Sequence, residues 1–128
     1  EDKYKLIKRE EVRYEATGCE GADLIIAAYG TTALIASSAA RKLEKEGYKV
    51  GLFRPISLWP FPHEALGELA EQDSVKAVLT VEMSLGQMLE DVRLAVNGVK
   101  PVHFHGRMGG NLPTQAELLD KIRKIVGR

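Results

Sequence analysis

Leu24-Ile25-Ile26-Ala27-Ala28, running into Tyr29-Gly30-Thr31-Thr32, decides the fold. Five apolar residues without polar alternation read as a strand buried on both faces, the pattern of a parallel sheet covered by helices. Thr31 or Thr32 then suits the N-cap of a helix. Leu34, Ile35, Ala39 and Leu43 recur along that helix at helical spacing. Gly47 stands where a helix ends in the left-handed region. Strand, turn and helix make one βα unit.

The unit repeats down the chain. Residues 48–53, Tyr-Lys-Val-Gly-Leu-Phe, give a second strand, followed by a proline-rich turn over 55–62. Pro62 suits the first turn of a helix reaching about Gln72, with Ala65, Leu66, Leu69 and Ala70 inward. Residues 75–81 form a third strand that ends at Glu82. Ser84 and Gln87 have capping-box spacing, and Leu85, Met88, Leu89, Val92 and Val96 share the next helical face. Asn97-Gly98 breaks that helix, and residues 101–105 give a short fourth strand. After the glycine-rich stretch 106–111, Thr114 and Glu117 make a second capping box. Leu118, Leu119, Ile122, Ile125 and Val126 are the stripe of the last helix. Four strand–helix alternations predict a three-layer α/β/α domain with a mainly parallel sheet.

Residues 1–22 stand outside this alternation. Val12 and Tyr14 are spaced as in a half-buried strand within Glu10-Glu11-Val12-Arg13-Tyr14-Glu15, and its charges suit a sheet edge. The expected division is an N-terminal arm over 1–22, joining something upstream, and an α/β domain over 23–128. The first residue is Glu and not Met, which points to a segment of a longer chain.

Composition narrows the function. Lys plus Arg and Asp plus Glu each number 18, so no basic excess argues for nucleic acid or an anionic membrane. No apolar run is long enough to span a bilayer, and the opening residues are not those of a signal peptide. With 128 residues the chain buries roughly two-thirds of its unfolded surface as one domain. Its one cysteine, Cys19, reads as a loop thiol, allows no intrachain disulfide and cannot by itself hold an iron–sulfur cluster. Low cysteine usage fits a cytoplasmic location.

In open α/β sheets ligands gather at the C-terminal strand ends, and four segments should meet there. Gly30-Thr31-Thr32 carries neither nucleotide-binding glycine fingerprint and reads as a turn with a cap. Glu82 can act as an acid or base, pair with Arg54 or Arg107, or face another chain. His103 and His105 share one strand face, but no third ligand accompanies them, so packing or an interface role is expected before zinc. His63 reads as a first-turn residue of an exposed helix. Gly106, Gly109 and Gly110 flank Arg107 and Met108, allowing either plain turn geometry or close docking of a neighbour with Arg107 as a bidentate donor. Trp59 and Phe61, in Trp59-Pro60-Phe61-Pro62, either form a partner site or cap the sheet edge.

Several of these stretches together resemble a known family. They are Ala28-Tyr29-Gly30-Thr31, residues 54–62 (Arg-Pro-Ile-Ser-Leu-Trp-Pro-Phe-Pro), residues 81–88 (Val-Glu-Met-Ser-Leu-Gly-Gln-Met), residues 90–98 and Gly106-Arg107-Met108-Gly109-Gly110. In this order, across 22–126, they are similar to the C-terminal region of the α subunit of 2-oxoacid:ferredoxin oxidoreductases of the 2-oxoisovalerate and 2-oxoglutarate branches. Ser84 departs from the Asn more usual there.

The resemblance implies a transketolase C-terminal-domain-like fold: a five-stranded mixed sheet whose N-terminal edge strand is antiparallel. It also implies a complex that uses thiamine diphosphate, Mg2+, iron–sulfur clusters and coenzyme A, none of them bound by this domain. Its expected partners are the thiamine-binding domain of the same subunit and the other oxidoreductase subunits, with ferredoxin reached indirectly. The contact candidates are Arg54, Trp59, Phe61, Glu82, Gln87, His105, Arg107, Met108, Gly109 and Gly110. No catalytic residue is expected. The alternatives are a free-standing flavodoxin-like ligand-binding module and the same domain from another thiamine diphosphate enzyme.

Overall fold

The computed structural model describes residues 4–9, 12–56, 60–83, 87–106 and 112–127, and for residues 4–9 and Val12 the backbone alone. The elements in chain order are β1 (Tyr4–Arg9), β2 (Val12–Thr17), β3 (Leu24–Ala28), α1 (Gly30–Lys45), β4 (Val50–Pro55), α2 (His63–Ala70), β5 (Ala77–Glu82), α3 (Leu89–Val96), β6 (Val102–Gly106) and α4 (Gln115–Val126). One sheet orders them β1-β2-β4-β3-β5-β6. Strands β4, β3, β5 and β6 are mutually parallel, whereas β2 runs antiparallel to β4 and β1 antiparallel to β2.

The α/β class and the antiparallel N-terminal strand agree with the sequence, but the strand count does not. The expected edge strand is β2, and β1 lies outside it, so the sheet has six strands and not five. Arg9 pairs with Val12, a hairpin register that puts the polar β2 one strand in from the edge. Lys5, Lys8 and Arg9 hide β1 among charged residues.

Period two divides β3 between the two faces. Leu24, Ile26 and Ala28 pack with Leu79 and Val81 of β5 under α1 and α4. Ile25 and Ala27 pack with Phe53 and Val78 under α2 and α3. A short strand buried on both sides needs this unbroken apolar sequence. The inward stripe of α1 differs from the expectation. Ala33, Ala36, Ala39 and Leu43 are buried, whereas Leu34 is 72% exposed and Ile35 only partly buried. Alanine leaves the helix axis close to the sheet, and Leu34 falls outside the buried stripe.

Neither threonine caps α1. Gly30, at φ 61, swings the chain out of the strand, which favours glycine. The Thr32 hydroxyl donates back to the Tyr29 carbonyl at 2.6 Å, and Tyr29 holds the N-cap position without a side-chain cap. The other stops follow the sequence. Gly47 has φ 96, Asn97 and Gly98 have φ 54 and 75, and Thr114 with Glu117 forms the reciprocal capping box of α4. Helix α2 closes at Ala70, two residues short of Gln72, with Leu66 and Ala70 buried.

Loops at the N-terminal strand ends are tied together by polar groups. Gln72 accepts from Gly21 N–H and donates to the carbonyls of Cys19 and Leu69. Lys100 donates to the carbonyls of Gln72 and Val75, both at 2.6 Å. Asp23 takes the Lys49 N–H on its carboxylate, while its backbone links Lys49 and Lys76. This end of the sheet is closed.

Cys19 belongs to the closed end and is not an exposed loop thiol. It is 3% exposed, with Sγ directed at the Leu52 carbonyl at 3.4 Å. Burial pushes its pKa up to about 12, outweighing a lowering backbone hydrogen bond at Thr17. In the unfolded chain the thiol ionises at its ordinary value near 9. The neutral thiol therefore contributes stability in full below about pH 9, and that contribution is lost as pH climbs toward about 12. At pH 10.5 the expected loss is roughly 2 kcal/mol. Urea midpoints at pH 8 and 10.5 should fall further for the wild-type chain than for Cys19→Ala. Equal falls would refute the burial argument.

Candidate functional site

Four parallel strands deliver their C-terminal ends to one edge of the sheet: Ala28 into Gly30, Pro55 into Ile56, Glu82 into Met83, and Gly106. This is the meeting of segments that the sequence predicts. The connection from β3 leads outward to β4, and the next returns past β3 to β5, so the order reverses between β3 and β5. Glu82 ends β5 at that reversal.

Glu82 is fully buried. Its Oε1 accepts from Met88 N–H at 2.9 Å, and its Oε2 accepts from Met88 and Leu89 N–H at 3.1 and 3.0 Å. These are the opening amides of α3, which starts at Leu89 without a side-chain cap from its own N-cap, Met88. A carboxylate here meets the positive end of the helix dipole and satisfies amides otherwise left without acceptors. The expected Ser84–Gln87 capping box is not what opens α3 among the described residues, and Ser84 lies outside them. Of the two arginines that Glu82 could pair with, Arg107 lies outside the described residues.

Arg54 instead pairs with Glu15 of β2 at 2.7 Å, its Nη1 donating to Oε1. The β2–β4 register puts these two residues directly opposite each other, and the Glu15 side chain is 11% exposed. With Thr17, Leu52, Gly30, Thr31, Ala33, Leu34 and Ser37 they line an open groove of about 390 Å³ between α1 and the β4–β2 part of the sheet. The groove lies on the far side of β3 from the topological reversal, away from where doubly wound sheets usually hold ligands.

The remaining contact candidates separate. Phe61 is 4% exposed and packs with Phe53, Leu66 and Met88 in the α2–α3 core, so it is a core residue and not a surface for a partner. Gln87 is exposed. His105 is half-buried, and its Nε2 lies 3.7 Å from Glu117 Oε1, too far for a hydrogen bond. Trp59, Arg107, Met108, Gly109 and Gly110 lie outside the described residues.

Three features escaped the sequence. Glu15 was unremarkable until the antiparallel register set it against Arg54. His63 is not simply exposed: its Nε2 stands 3.0 Å from Asp91 Oδ1, joining α2 to α3, and its ring lies 5.0 Å from that of Phe61. The third is apolar exposure. Leu34, Ile56 and Leu112, at 72%, 41% and 41%, all belong to segments near the C-terminal strand ends. A per-residue reading put Leu34 in the core.

A parallel β4-β3-β5-β6 sheet wound on both faces, with an antiparallel strand beside β4, defines an α/β domain of the transketolase C-terminal class. A solved split-gene transketolase, an inactive β4 tetramer, shares the fold with a TM-score of 0.71 at 26% identity, over 83% of this chain and 39% of that one. The chain belongs to the family described as pyruvate:ferredoxin oxidoreductase core domain II, whose model matches residues 22–118. Among its relatives is the ketoisovalerate oxidoreductase subunit VorB of Methanothermobacter marburgensis, 44% identical over 127 residues, covering 99% of this chain and 35% of the relative. The 2-oxoglutarate:ferredoxin oxidoreductase of Magnetococcus marinus, solved with 2-oxoglutarate, coenzyme A and succinyl-CoA bound, superposes with a TM-score of 0.75 at 26% identity. It covers 94% of this chain and 20% of that one. The chain thus spans about a third of the length of the VorB relative.

Proposed function

We propose that the chain is a noncatalytic contact domain of a thiamine-dependent 2-oxoacid:ferredoxin oxidoreductase of the 2-oxoisovalerate or 2-oxoglutarate type. The complex would convert a 2-oxoacid, coenzyme A and oxidised ferredoxin into an acyl-CoA, carbon dioxide and reduced ferredoxin. The domain would brace the thiamine-binding domain and meet other subunits through its C-terminal strand ends, in the cytoplasm.

The observation that carries this reading is the contrast between the two ends of the sheet. Backbone carbonyls and amides at one end are engaged by Gln72, Lys100 and Asp23. The other end presents Leu34 and Ile56 beside the Glu15–Arg54 pair, although Leu94 on α3 and Val99 beside Lys100 are exposed as well. Exposed apolar residues rimmed by charge are the mark of a contact surface.

Among the described residues, no cluster of three or more His, Cys, Asp or Glu is placed to hold a metal ion. One thiol cannot supply the roughly four thiolates of an iron–sulfur cluster. The buried carboxylate at the topological reversal accepts from the α3 amides with both oxygens. The complex's cofactors would belong to other parts of the assembly.

The test is an assay of the chain alone, supplied with thiamine diphosphate, Mg2+, coenzyme A, oxidised ferredoxin and 3-methyl-2-oxobutanoate or 2-oxoglutarate. No acyl-CoA is expected, while the whole complex forms it with one of the two acids. Turnover by the isolated chain would end the proposal.

A further inference from the structure

We propose that β6 is a dimerisation edge, pairing antiparallel with β6 of a second copy of this chain about a two-fold axis through Phe104. Among the described residues the sheet ends at β6. The Val78 N–H donates to the Pro101 carbonyl, and Val78 stands opposite Val102. In a parallel ladder this turns the backbone groups of residues 101, 103 and 105 toward β5 and those of Val102, Phe104 and Gly106 outward. Among the described residues no hydrogen bond reaches these outward groups.

Such an edge invites another strand unless it is guarded. The opposite edge, β1, carries Lys5, Lys8 and Arg9. Strand β6 is Val-His-Phe-His-Gly, with no lysine, arginine, acid or proline. Lys100, the charge shortly before it, has its ammonium bound to the carbonyls of Gln72 and Val75 at the closed end of the sheet. Phe104 is half-buried, yet among the described residues it packs with neither core cluster. An aromatic ring at the centre of a bare edge is left to meet something else.

The strand's own pattern selects a second copy. A two-fold interface must be complementary to itself, and His103-Phe104-His105 reads the same in both directions. Turned about Phe104, Val102 exchanges hydrogen bonds with Gly106 of the second copy, and Phe104 with its own equivalent, so every outward group is satisfied. Val102 packs with the α2–α3 core, and Phe104, two residues on, shares that face. The two Phe104 rings therefore meet there as a cross-strand aromatic pair, and Gly106 leaves room for Val102. Leu94 of α3 and Val99, on the connection into β6, are 69% and 49% exposed and add apolar surface to the segment leading to this edge.

The experiment is sedimentation equilibrium of the chain across a dilution series, with hydrogen exchange at the two ends of the series. The chain should dimerise, and the amides of Val102 and Phe104 should gain protection with concentration while those of His103 and His105, already bonded to β5, stay unchanged. Phe104→Lys and Phe104→Glu should each weaken the dimer about tenfold or more, because like charges then stand opposite each other. An equimolar mixture of the two variants should associate again, which misfolded chains would not do. A chain monomeric at every concentration, or a dimer whose Val102 and Phe104 amides gain nothing, would overturn the proposal. So would protection of these amides that arises only in the assembled complex, which would give the edge to a different chain.

Discussion

Gly51→Ala is expected to destabilise the fold by about 3 kcal/mol, the upper range for forcing a methyl group into a packed interior. Gly51 sits in β4, paired with Ile25 of β3, where the N-terminal strand-end loop crosses it. A Cβ there would lie 2.7 Å from Cys19 Cα and 2.9 Å from both Cys19 Sγ and the Gly18 carbonyl oxygen. The obstacles are mostly backbone, so no side-chain rotation relieves them. Gly18 is itself held at φ 65, and the carbonyl of Cys19 is bound by Gln72. The loop cannot move without breaking the closed end of the sheet. Calorimetry should record a fall in melting temperature of roughly 10 °C. A fall of only a degree or two would mean that the loop yields and that this end is not rigid.

Phe53→Ala should cost about 3–5 kcal/mol, as large-to-small changes in closed cores do. Phe53 is fully buried among Ile25, Phe61 and Leu66, and its ring stacks on Tyr14 at 5.0 Å and 22°. Tyr14 belongs to β2, so the same substitution tests whether the N-terminal arm is part of the domain's core. A double-mutant cycle with Tyr14→Ala should show coupling of about 0.5–1.5 kcal/mol, measured from urea unfolding. Additive losses would mean that β2 lies on the sheet without being held by it.

The difference between what was legible in the sequence and what was not is physical. Strand β3 was legible because five apolar residues in a row have few other homes. The helix stops at Gly47 and Asn97-Gly98 and the Thr114–Glu117 box were legible because they depend on residues three or four apart. Hidden features required long-range register. Glu15 meets Arg54 only through the antiparallel β2–β4 pairing. Glu82 reaches the start of α3 only through the fold of the β5–α3 connection. The α1 stripe was misread for another reason: hydrophobicity favoured Leu34, but the close approach of helix to sheet favoured Ala33 and Ala36. Strand β1 was missed because adjacent Leu6-Ile7 and Lys8-Arg9 break the apolar–polar alternation that marks a strand.

The shared fold spans transketolase-type and ferredoxin-linked enzymes, so the fold alone does not choose the reaction. In this chain the Glu82 carboxylate at the topological reversal accepts from the opening amides of α3.

Hydrogen–deuterium exchange, comparing the chain alone with the chain in its assembled complex, tests the contact surface most directly. The account predicts new protection at residues 30–34, around Ile56 and over 87–89, with little change at residues 18–23 and 71–76. New protection confined to the Gln72–Lys100 end, or none anywhere, would contradict it.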